Sequence, residues 1–332
     1  MNWAKLGSSD FLKAIRPFVG LFVVLAIFAI DSELRPIFFK GFNFKNILTQ
    51  TVIVAIGAMG MTLVIVSGGI DLCAGSVVAL ASVVTAKLIE QGYGFLAVIS
   101  ATILVGGLVG LVNGGIITAF RMMPFIVTLG MMGIARGVSK WLANNQTVNP
   151  ETPLDSVKQL MDNSQSTTFF PLPDGVWFAL GLAVVMAVVL RRSVFGRYVF
   201  AIGSNEDTAR LCGIRVNLNK VLIYTLAGAF FGLAGVMQFS RLTQGDPSVA
   251  IGLELQIIAA VVIGGASLSG GAGSIPGSVI GAFMMACLAN GSSIKDWPNY
   301  MQEIIIGVVI ILAVGMDKLE PLLQRVLNKS RN

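Results

Sequence analysis

Long apolar runs separated by short polar stretches make up most of this chain. A helix needs about 20 mostly apolar residues to cross the hydrocarbon core of a bilayer, and the runs predict about ten such helices. Several are only 16 or 17 residues long and are interrupted by glycine or proline, which is tolerated where the freed backbone groups face protein or water. The predicted spans lie near 16–34, 47–66, 73–88, 95–119, 123–142, 175–190, 220–240, 250–266, 274–290 and 300–316.

The composition agrees with a chain that is solvated by lipid. Of the 332 residues, 55% are hydrophobic and 12% are charged, and the mean hydropathy is +0.81. A soluble domain carries about 25% charged residues, because its exterior has to be wetted. We therefore predict an all-α polytopic membrane protein in which residues 1–332 form one transmembrane domain.

The chain offers no set of metal ligands. It has no histidine, and its three cysteines, Cys73, Cys212 and Cys287, lie in separate apolar or loop settings without a CxxC pair. Zinc and haem motifs need clustered ligands of these types. We expect the cysteines to be small apolar core residues.

Lysine and arginine predict that both chain ends are cytoplasmic. With that orientation the inner segments hold fourteen of the 23 basic residues, and the outer segments and helix ends hold eight, in agreement with the enrichment of cytoplasmic loops in these residues. Residues 143–174 are polar and rich in Pro, Asn and Ser, and are predicted outside. Residues 191–219 are basic and are predicted inside. The net charge of +6 is spread over many loops, so no nucleic-acid partner is expected.

An acid interrupts the apolar pattern in VSGGIDLCAGS, residues 66–76. A lone acid in hydrocarbon is costly, so Asp71 should face water, a helix end or a partner. It either caps the helix that starts near Cys73 or lines a path and meets substrate hydroxyls. The predicted orientation favours capping, in a tight inner turn that the glycines permit. A second inner turn, GGASLSGGAGS at 264–274, shares the spacing GG-x-x-L-x-x-G, which hints at an internal repeat.

The inner loop contains one predicted short helix in the run IGSNEDTARLCGI, residues 202–214. Ser204 or Asn205 can cap its N-terminus, acidic residues follow at the positive end of the helix dipole, and Gly213 can end it. Two turns of helix are stable only when packed against something. From composition alone, the helix either rests on the membrane face or contacts a soluble partner.

Three long motifs define a family resemblance. The first is GRYVFAIGSNEDTARLCGI, followed by a lysine and a span with GLAG. The second is GMTLVIVSGGIDLCAGS, and the third is AAVVIGGASLSGGAGSIPGSVIGA. They resemble GR-x-x-x-A-x-G-x-N-x-x-A-A-x-x-x-GI, GMT-x-V-I-x-S/T-GGIDLS-VGS and AAVVLGG-x-SL-x-GG-x-G-x-x-x-G of permeases in ATP-binding cassette (ABC) importers of the ribose/xylose/galactose type. These belong to the branched-chain amino acid/monosaccharide permease superfamily. Cys73, Ala74 and Arg210 depart from the commoner residues.

The resemblance implies a type II-like importer permease with several short or broken helices. Permeases of this type pair with a second copy or a paralogue in the bacterial cytoplasmic (inner) membrane, surrounded by lipid. They dock ATPase subunits inside and receive solute from a binding protein outside. Because the chain lacks GxxxxGK[ST], we expect a transport subunit and not an enzyme, with ATP and Mg bound by the partner subunit. The coupling helix would be formed by Gly203, Ser204, Asn205, Ala209, Arg210, Gly213 and Ile214.

Polar residues within the predicted spans are candidates for the translocation path. A sugar needs donors and acceptors that match its hydroxyls together with an apolar face, which makes Asn113 with Phe125 the best pair. Arg136 and Glu254 are further polar positions within spans. For each of these residues, an interhelical hydrogen bond or ion pair is the alternative interpretation. The candidate path residues are Asp71, Ser76, Asn113, Phe125 and Thr128.

The predicted function is therefore import of a monosaccharide or a related small polar solute. The alternative is an ion-coupled secondary transporter, which would want a carboxylate or histidine relay near the middle of the membrane, whereas mid-span acids are few and Glu254 is the main one. A membrane-embedded enzyme would need clustered acids or a metal site, which the 17 Asp and Glu residues do not show. The coupling-type loop argues against a non-catalytic scaffold.

Overall fold

The computed structural model describes residues 34–152, 154–163, 172–298 and 300–308, with isolated positions between 18 and 32 and at 310, 311 and 315. Within these ranges the regular structure is α-helical, apart from one isolated antiparallel bridge between Val148 and Gly245. The helices are α1 (Arg35–Phe38), α2 (Gly41–Val66), α3 (Ala74–Glu90), α4 (Phe95–Phe120), α5 (Pro124–Leu142), α6 (Asp155–Lys158), α7 (Asp174–Arg192), α8 (Val194–Ser204), α9 (Glu206–Leu211), α10 (Val216–Leu242), α11 (Leu253–Ile263) and α12 (Ile275–Ile294).

In the described part of the chain, five helices are long and apolar enough to cross a membrane: α2, α4, α7, α10 and α12. With 17 and 19 residues, α3 and α5 cover two more of the predicted spans. Together they confirm an all-α polytopic membrane fold. The predicted spans 16–34 and 300–316 lie partly outside the described residues, which are helical at positions between 20 and 30 and at 300–308.

The predicted span 250–266 is wrong in its length. α11 has 11 residues, which at 1.5 Å per residue is about 16 Å, against roughly 30 Å of hydrocarbon. Gly252 (φ +77°) precedes it and Gly265 (φ +93°) follows it, and such backbone angles favour glycine because it has no Cβ. Most of α11 is buried within the protein. It is therefore a half-length helix whose apolar residues face other helices.

α2 and α10 form the centre of the fold. From Val52 to Val66, α2 is apolar apart from Thr62 and is buried on all sides, as expected for a helix that is enclosed by protein. α10 packs against α2, α3 and α4. Gly106 and Gly110 of α4 lie directly against the backbone of α10 at Gly228 and Tyr224. Such close contacts of small residues hold transmembrane helices together by van der Waals packing.

The segment 67–73 is longer than the predicted tight inner turn. Gly235 of α10 contacts α3 at Val78 and Ala81, and Gly235 lies 19 residues beyond the start of α10, about 28 Å along its axis. α3 therefore begins near the middle of the helix layer. Residues 67–73 climb from the end of α2 to that level without helical structure, as backbone within a membrane can do where protein surrounds it.

The shared spacing of the two glycine-rich turns corresponds to a shared helix ending. Gly68 and Gly265 both have positive φ and follow α2 and α11 in the same hydrogen-bonding pattern, the Schellman motif. The sequence spacing pairs Gly68 with Gly264, whereas the helix ends pair it with Gly265. The similarity is thus a local one with a one-residue offset.

Loops that are distant in sequence meet at two ends of the helix layer. Val66 and Gly68 at the end of α2 contact residues 203–204 and 270–271, and we call this the glycine end. The loops around Val148 and Gly245 meet at the other end, which we call the opposite end. The 27 residues of α10 separate the two ends by about 40 Å.

Candidate functional site

The coupling segment, residues 203–214, contains the end of one helix and the whole of another. The run 202–214 contains the predicted short helix as α9, whereas its first residues belong to α8, which continues to Ser204 before α9 begins after Asn205. Asn205 has an extended backbone (φ −161°, ψ 108°), and its Oδ1 accepts a hydrogen bond from the N–H of Thr208 at 2.8 Å. This is an N-cap contact. Of the two predicted caps, Asn205 is confirmed and Ser204 is not.

Gly213 ends α9 in a compact turn. Its φ is +82°, and its N–H donates to the carbonyl of Arg210 at 3.1 Å, while the Ile214 N–H donates to the carbonyl of Ala209 at 3.1 Å. These two bonds are those of a Schellman motif. The predicted helix end at Gly213 is confirmed, and a residue with a Cβ would be strained there.

α9 is anchored on one side and free on the other. Ala209 is only 3% exposed and lies in a small apolar cluster with Ile202 of α8 and Val216 of α10. Leu211, in the last turn of α9, is 89% exposed. The helix is therefore fixed to the rest of the chain through Ala209, while its outer surface is open to another protein.

Glu206 joins α9 to α10 through ion pairs. Its Oε2 lies 2.5 Å from Nζ of Lys220, and its Oε1 lies 3.1 Å from Nη2 of Arg210. Partial burial alone would raise the pKa of Glu206, but the hydrogen bonds and charges of Lys220 and Arg210 outweigh that effect and hold the pKa below its ordinary value. The carboxylate is therefore charged at neutral pH, which suits its place at the N-terminus of a helix.

Gly203 connects the coupling segment to both glycine-rich turns. A Cβ at Gly203 would collide with the carbonyl of Val66 and would lie 2.7 Å from the backbone nitrogen of Gly271. The Gly271 N–H donates to the Val66 carbonyl at 2.8 Å, and Gly270 packs against Gly203 and Gly68. We call these five residues the glycine junction. The coupling segment therefore contacts the end of α2 and the loop before α12 directly through backbone atoms.

The segment 67–73 is held by two side chains. The hydroxyl of Thr128 in α5 donates to the carbonyl of Ile70 at 3.2 Å and accepts from the N–H of Leu72 at 3.2 Å. The Oδ1 of Asp71 accepts from the N–H of Cys73 at 2.9 Å, the residue immediately before α3. This bond supports the capping interpretation of Asp71, with the acceptor acting at the N-cap residue and not within the first turn.

Three of the candidate path residues meet around this segment. Nδ2 of Asn113 lies 3.3 Å from Sγ of Cys73, and Asp71, Asn113 and Thr128 are all at most 1% exposed. Phe125, by contrast, is 49% exposed at the start of α5. The structure therefore brings Asp71, Asn113 and Thr128 into one buried polar cluster, and it does not present Asn113 and Phe125 as one open sugar site.

Tyr224 belongs to this buried polar cluster, although the sequence analysis did not single it out. Its hydroxyl lies against Gly69, and its side chain is 1% exposed. Among the described residues, the Tyr224 hydroxyl, Asp71 Oδ2 and Asn113 Oδ1 are buried without a hydrogen-bond partner, which is rare in folded proteins. The sequence signal that could have identified Tyr224 is a hydroxyl-bearing residue within an otherwise apolar span. Ser76 is equally buried.

Arg136 and Glu254 lie in a second polar group. Nη1 of Arg136 donates to the carbonyls of Pro247 at 2.8 Å and Val249 at 2.6 Å, and so holds the chain that leads into α11. The carboxylate of Glu254 lies against Gly75 at the start of α3, and the charges of Arg136 and Glu254 attract each other. These contacts support the interpretation of both residues as links between helices.

Comparison with known proteins gives matches over nearly the whole chain. The family model described as branched-chain amino acid transport system / permease component matches residues 43–314. The ribose import permease protein RbsC of Escherichia coli K12 is 40% identical over 305 residues, 90% of this chain and 92% of the relative. RbsC of Bacillus subtilis 168 is 37% identical over 307 residues, 92% and 93% of the two chains.

A third relative and one solved structure match at lower identity. The L-arabinose ABC transporter permease protein AraH of Azospirillum brasilense is 34% identical over 296 residues, 89% of this chain and 86% of the relative. A solved metal-chelate type ABC transporter in an inward-facing conformation aligns with a TM-score of 0.48 and 15% identity, over 92% of this chain and 98% of that chain. That structural similarity is too low to define the fold by itself.

Proposed function

The chain belongs to the family of branched-chain amino acid transport system permease components, and we propose that it is the membrane subunit of an ABC importer for a monosaccharide or a related small polar solute. The relatives named as ribose and L-arabinose permeases share 34–40% identity with it over about nine tenths of its length. The solute class of the proposal rests on these relatives and on the three sequence motifs.

The proposed orientation places the glycine end in the cytoplasm. The basic segment 191–219 lies at this end, and cytoplasmic loops are enriched in lysine and arginine. Both chain ends are then cytoplasmic, and the opposite end faces the binding protein. The membrane is the bacterial cytoplasmic membrane, with lipid around the exposed apolar face of α4.

The observation that carries the proposal is the construction of the coupling segment. α9 is fixed by Ala209, leaves Leu211 exposed, and is continuous with the glycine junction through Gly203. We infer that an ATPase subunit holds the exposed side of α9. Its movement would be passed by direct backbone contact to segment 67–73 and to the loop before α12, where the unpartnered polar atoms make rearrangement inexpensive.

In this proposal the ATPase subunit supplies the energy for transport. The sequence contains no GxxxxGK[ST] phosphate-binding loop, so ATP and Mg are assigned to the ATPase subunit and this chain is assigned no catalytic residue. A second copy of the chain or a related permease completes the membrane part, and a solute-binding protein delivers the solute.

The test begins with gentle detergent extraction of the tagged chain from its native membrane and mass spectrometry of the copurified proteins. We expect a P-loop ATPase and ATP hydrolysis in the preparation. Recovery of the chain alone, under conditions where a known ABC complex survives, would overturn the proposal.

Uptake experiments separate the proposal from the ion-coupled alternative. A protonophore collapses the ion gradient at once, so an ion-coupled carrier stops immediately, whereas uptake by an ATP-driven importer continues until ATP is depleted. We expect continued early uptake of the sugar together with sensitivity to ATP depletion. Immediate arrest with ATP still present would support the secondary transporter.

A further inference from the structure

A polar cavity of about 390 Å³ lies near the opposite end of the helix layer. Thr49 of α2 lines it, 17 residues before the last residue of α2 and therefore about 26 Å from the glycine junction. The remaining walls come from residues 158–163, from the C-terminal end of α10 and from Asn290 of α12. Its volume is within the range of small-molecule sites, about 300–1,000 Å³. The cavity shares no residue with the coupling segment, the glycine junction or the buried polar cluster.

The wall of the cavity contains a fixed chain of hydrogen bonds. The Thr49 hydroxyl lies 2.8 Å from Oδ1 of Asn163, and Nδ2 of Asn163 donates to Oδ1 of Asn46 at 2.7 Å. On the facing side, Oδ1 of Asn290 accepts from Nδ2 of Asn43 at 2.8 Å. These bonds orient the amides, and Nδ2 of Asn46 and of Asn290 remains as a donor beside the cavity.

Two further side chains are available to a ligand. Gln50 of α2 and Arg241 of α10 line the cavity, and among the described residues neither has a hydrogen-bond or ion-pair partner. A glutamine amide both donates and accepts, and a guanidinium offers five donors. The described lining thus combines amides and hydroxyls with the charged side chains of Lys158, Asp162 and Arg241 and one apolar residue, Met161, and none of these described residues is aromatic.

We propose that this cavity binds a polyhydroxylated solute, a monosaccharide in its neutral ring form, as it passes from the binding protein into the permease. A sugar hydroxyl donates and accepts at once, and the described lining offers amides and hydroxyls that do both, together with donors on Arg241 and Lys158 and the carboxylate of Asp162. A lipid chain or an apolar amino acid would find few apolar contacts here. The inference deepens the proposed function and depends on it for the direction of transport.

No aromatic platform lies among the described lining residues, and we expect this to be a weak site. A transport site has to bind firmly enough to be entered and weakly enough to be left. Affinity in the millimolar range, about 4 kcal/mol of binding free energy, meets both needs, since the binding protein supplies the tight capture.

Cysteine protection tests the site independently of transport. Gln50→Cys is introduced into the full chain within its importer, and a membrane-impermeant maleimide is added to right-side-out vesicles. The unchanged chain is the blank, because Cys73 and Cys287 are buried and Cys212 is exposed at the glycine end. Gln91→Cys is the matched control, since Gln91 is exposed after α3 and does not line the cavity. Ribose, L-arabinose, galactose and leucine are the probes, each at about 50 mM, well above a millimolar dissociation constant.

The expected result is slower labelling of Gln50→Cys by at least one sugar and not by leucine. At about 50 mM sugar and a dissociation constant of about 1 mM, about 98% of the sites are filled, so the rate falls about fiftyfold. Gln91→Cys should label at one rate throughout. Protection by leucine alone, equal slowing of both variants, or failure of Gln50→Cys to react from outside would overturn the proposal. If Gln50→Cys does not insert, Thr243→Cys at the exposed rim of the cavity takes its place.

ATP-driven uptake of the same sugars by the unchanged importer separates this inference from the proposed function. ATP-driven uptake of a sugar that does not slow the labelling of Gln50→Cys, or of Thr243→Cys where it is used instead, would overturn the cavity proposal and leave the importer intact. Protection without ATP-driven uptake would support the cavity and refute the importer. Labelling of the unchanged chain from outside would show that the proposed orientation is inverted.

Discussion

A methyl group added at Gly203 tests whether the glycine junction transmits movement. In Gly203→Ala the new Cβ would collide with the Val66 carbonyl and would lie 2.7 Å from the Gly271 nitrogen. Ordinary contacts of a Cβ are 3.4–4 Å. The neighbours are backbone atoms, so no flexible side chain can move aside. The coupling segment must therefore shift by about 0.7 Å or more, the difference between 3.4 Å and 2.7 Å.

The cost follows from three terms. Overpacking costs about 1–3 kcal/mol, and strain on the Gly271–Val66 hydrogen bond adds up to about 1 kcal/mol. The better helix propensity of alanine offsets at most about 1 kcal/mol of this destabilisation. We expect a net loss of roughly 1–3 kcal/mol, with uptake reduced more than the amount of inserted protein, because the displaced junction no longer matches the movement of the coupling segment.

The assay is uptake and binding-protein-stimulated ATP hydrolysis of the reconstituted complex, together with the temperature at which the detergent-solubilised chain loses monodispersity. Gly115→Ala is the matched control, because no atom lies within 4 Å of the Cβ position at this helical glycine. Unchanged uptake, coupling and thermal stability in Gly203→Ala would refute the reasoning from the junction.

Further predictions concern the coupling segment and the buried polar cluster. Ala209→Glu places a charge in the small apolar cluster and should abolish stimulated ATP hydrolysis while the chain still inserts; Thr208→Glu, one residue earlier and exposed, should not, and equal loss in both would contradict the anchoring role. Tyr224→Phe removes a buried hydroxyl that has no partner among the described residues, so thermal unfolding should show no loss and a gain of up to about 1 kcal/mol; a clear destabilisation would reveal a partner. The folded-state pKa of Glu206 is lowered, so its stabilising contribution is present at neutral pH and is lost as the pH falls through that value. Hydrogen exchange of residues 206–211, corrected for intrinsic rates, should stay slow until the pH is below about 4.3, the ordinary pKa of glutamate. Lys220→Met should move that loss to higher pH, and an unchanged profile would exclude the ion pair as the cause.

Local signals predicted the ends of the coupling segment well. Asn205 as N-cap and Gly213 as the C-terminal glycine both appear in the structure, because a cap depends on neighbours a few residues away. The sequence analysis did not predict that a second helix, α8, reaches Ser204. The cap at Asn205 is a local signal, whereas tertiary packing of Val199, Ile202 and Ala209 decides where each helix lies.

The sequence predicted helix lengths less well than it predicted the ends of the coupling segment. The apolar run 250–266 predicts a full span, whereas α11 is half that length. Segment 67–73 likewise looks like a tight turn and instead climbs to the level where α3 begins. Hydropathy reports that a residue avoids water, but lipid and protein interior are equally apolar, so it cannot distinguish a spanning helix from one buried among others.

The sequence by itself determined the membrane-embedded helical class and the family, because each depends on composition or on short motifs that survive without coordinates. The tertiary structure alone decided which glycines touch and which polar atoms meet. Gly203 contacts Val66 and Gly271, and Asp71 meets Asn113 and Thr128, although each comes from a different part of the chain. Such contacts follow from the packing of whole helices, where one absent side chain lets two backbones approach, and no local pattern of residues records which backbone will be the neighbour.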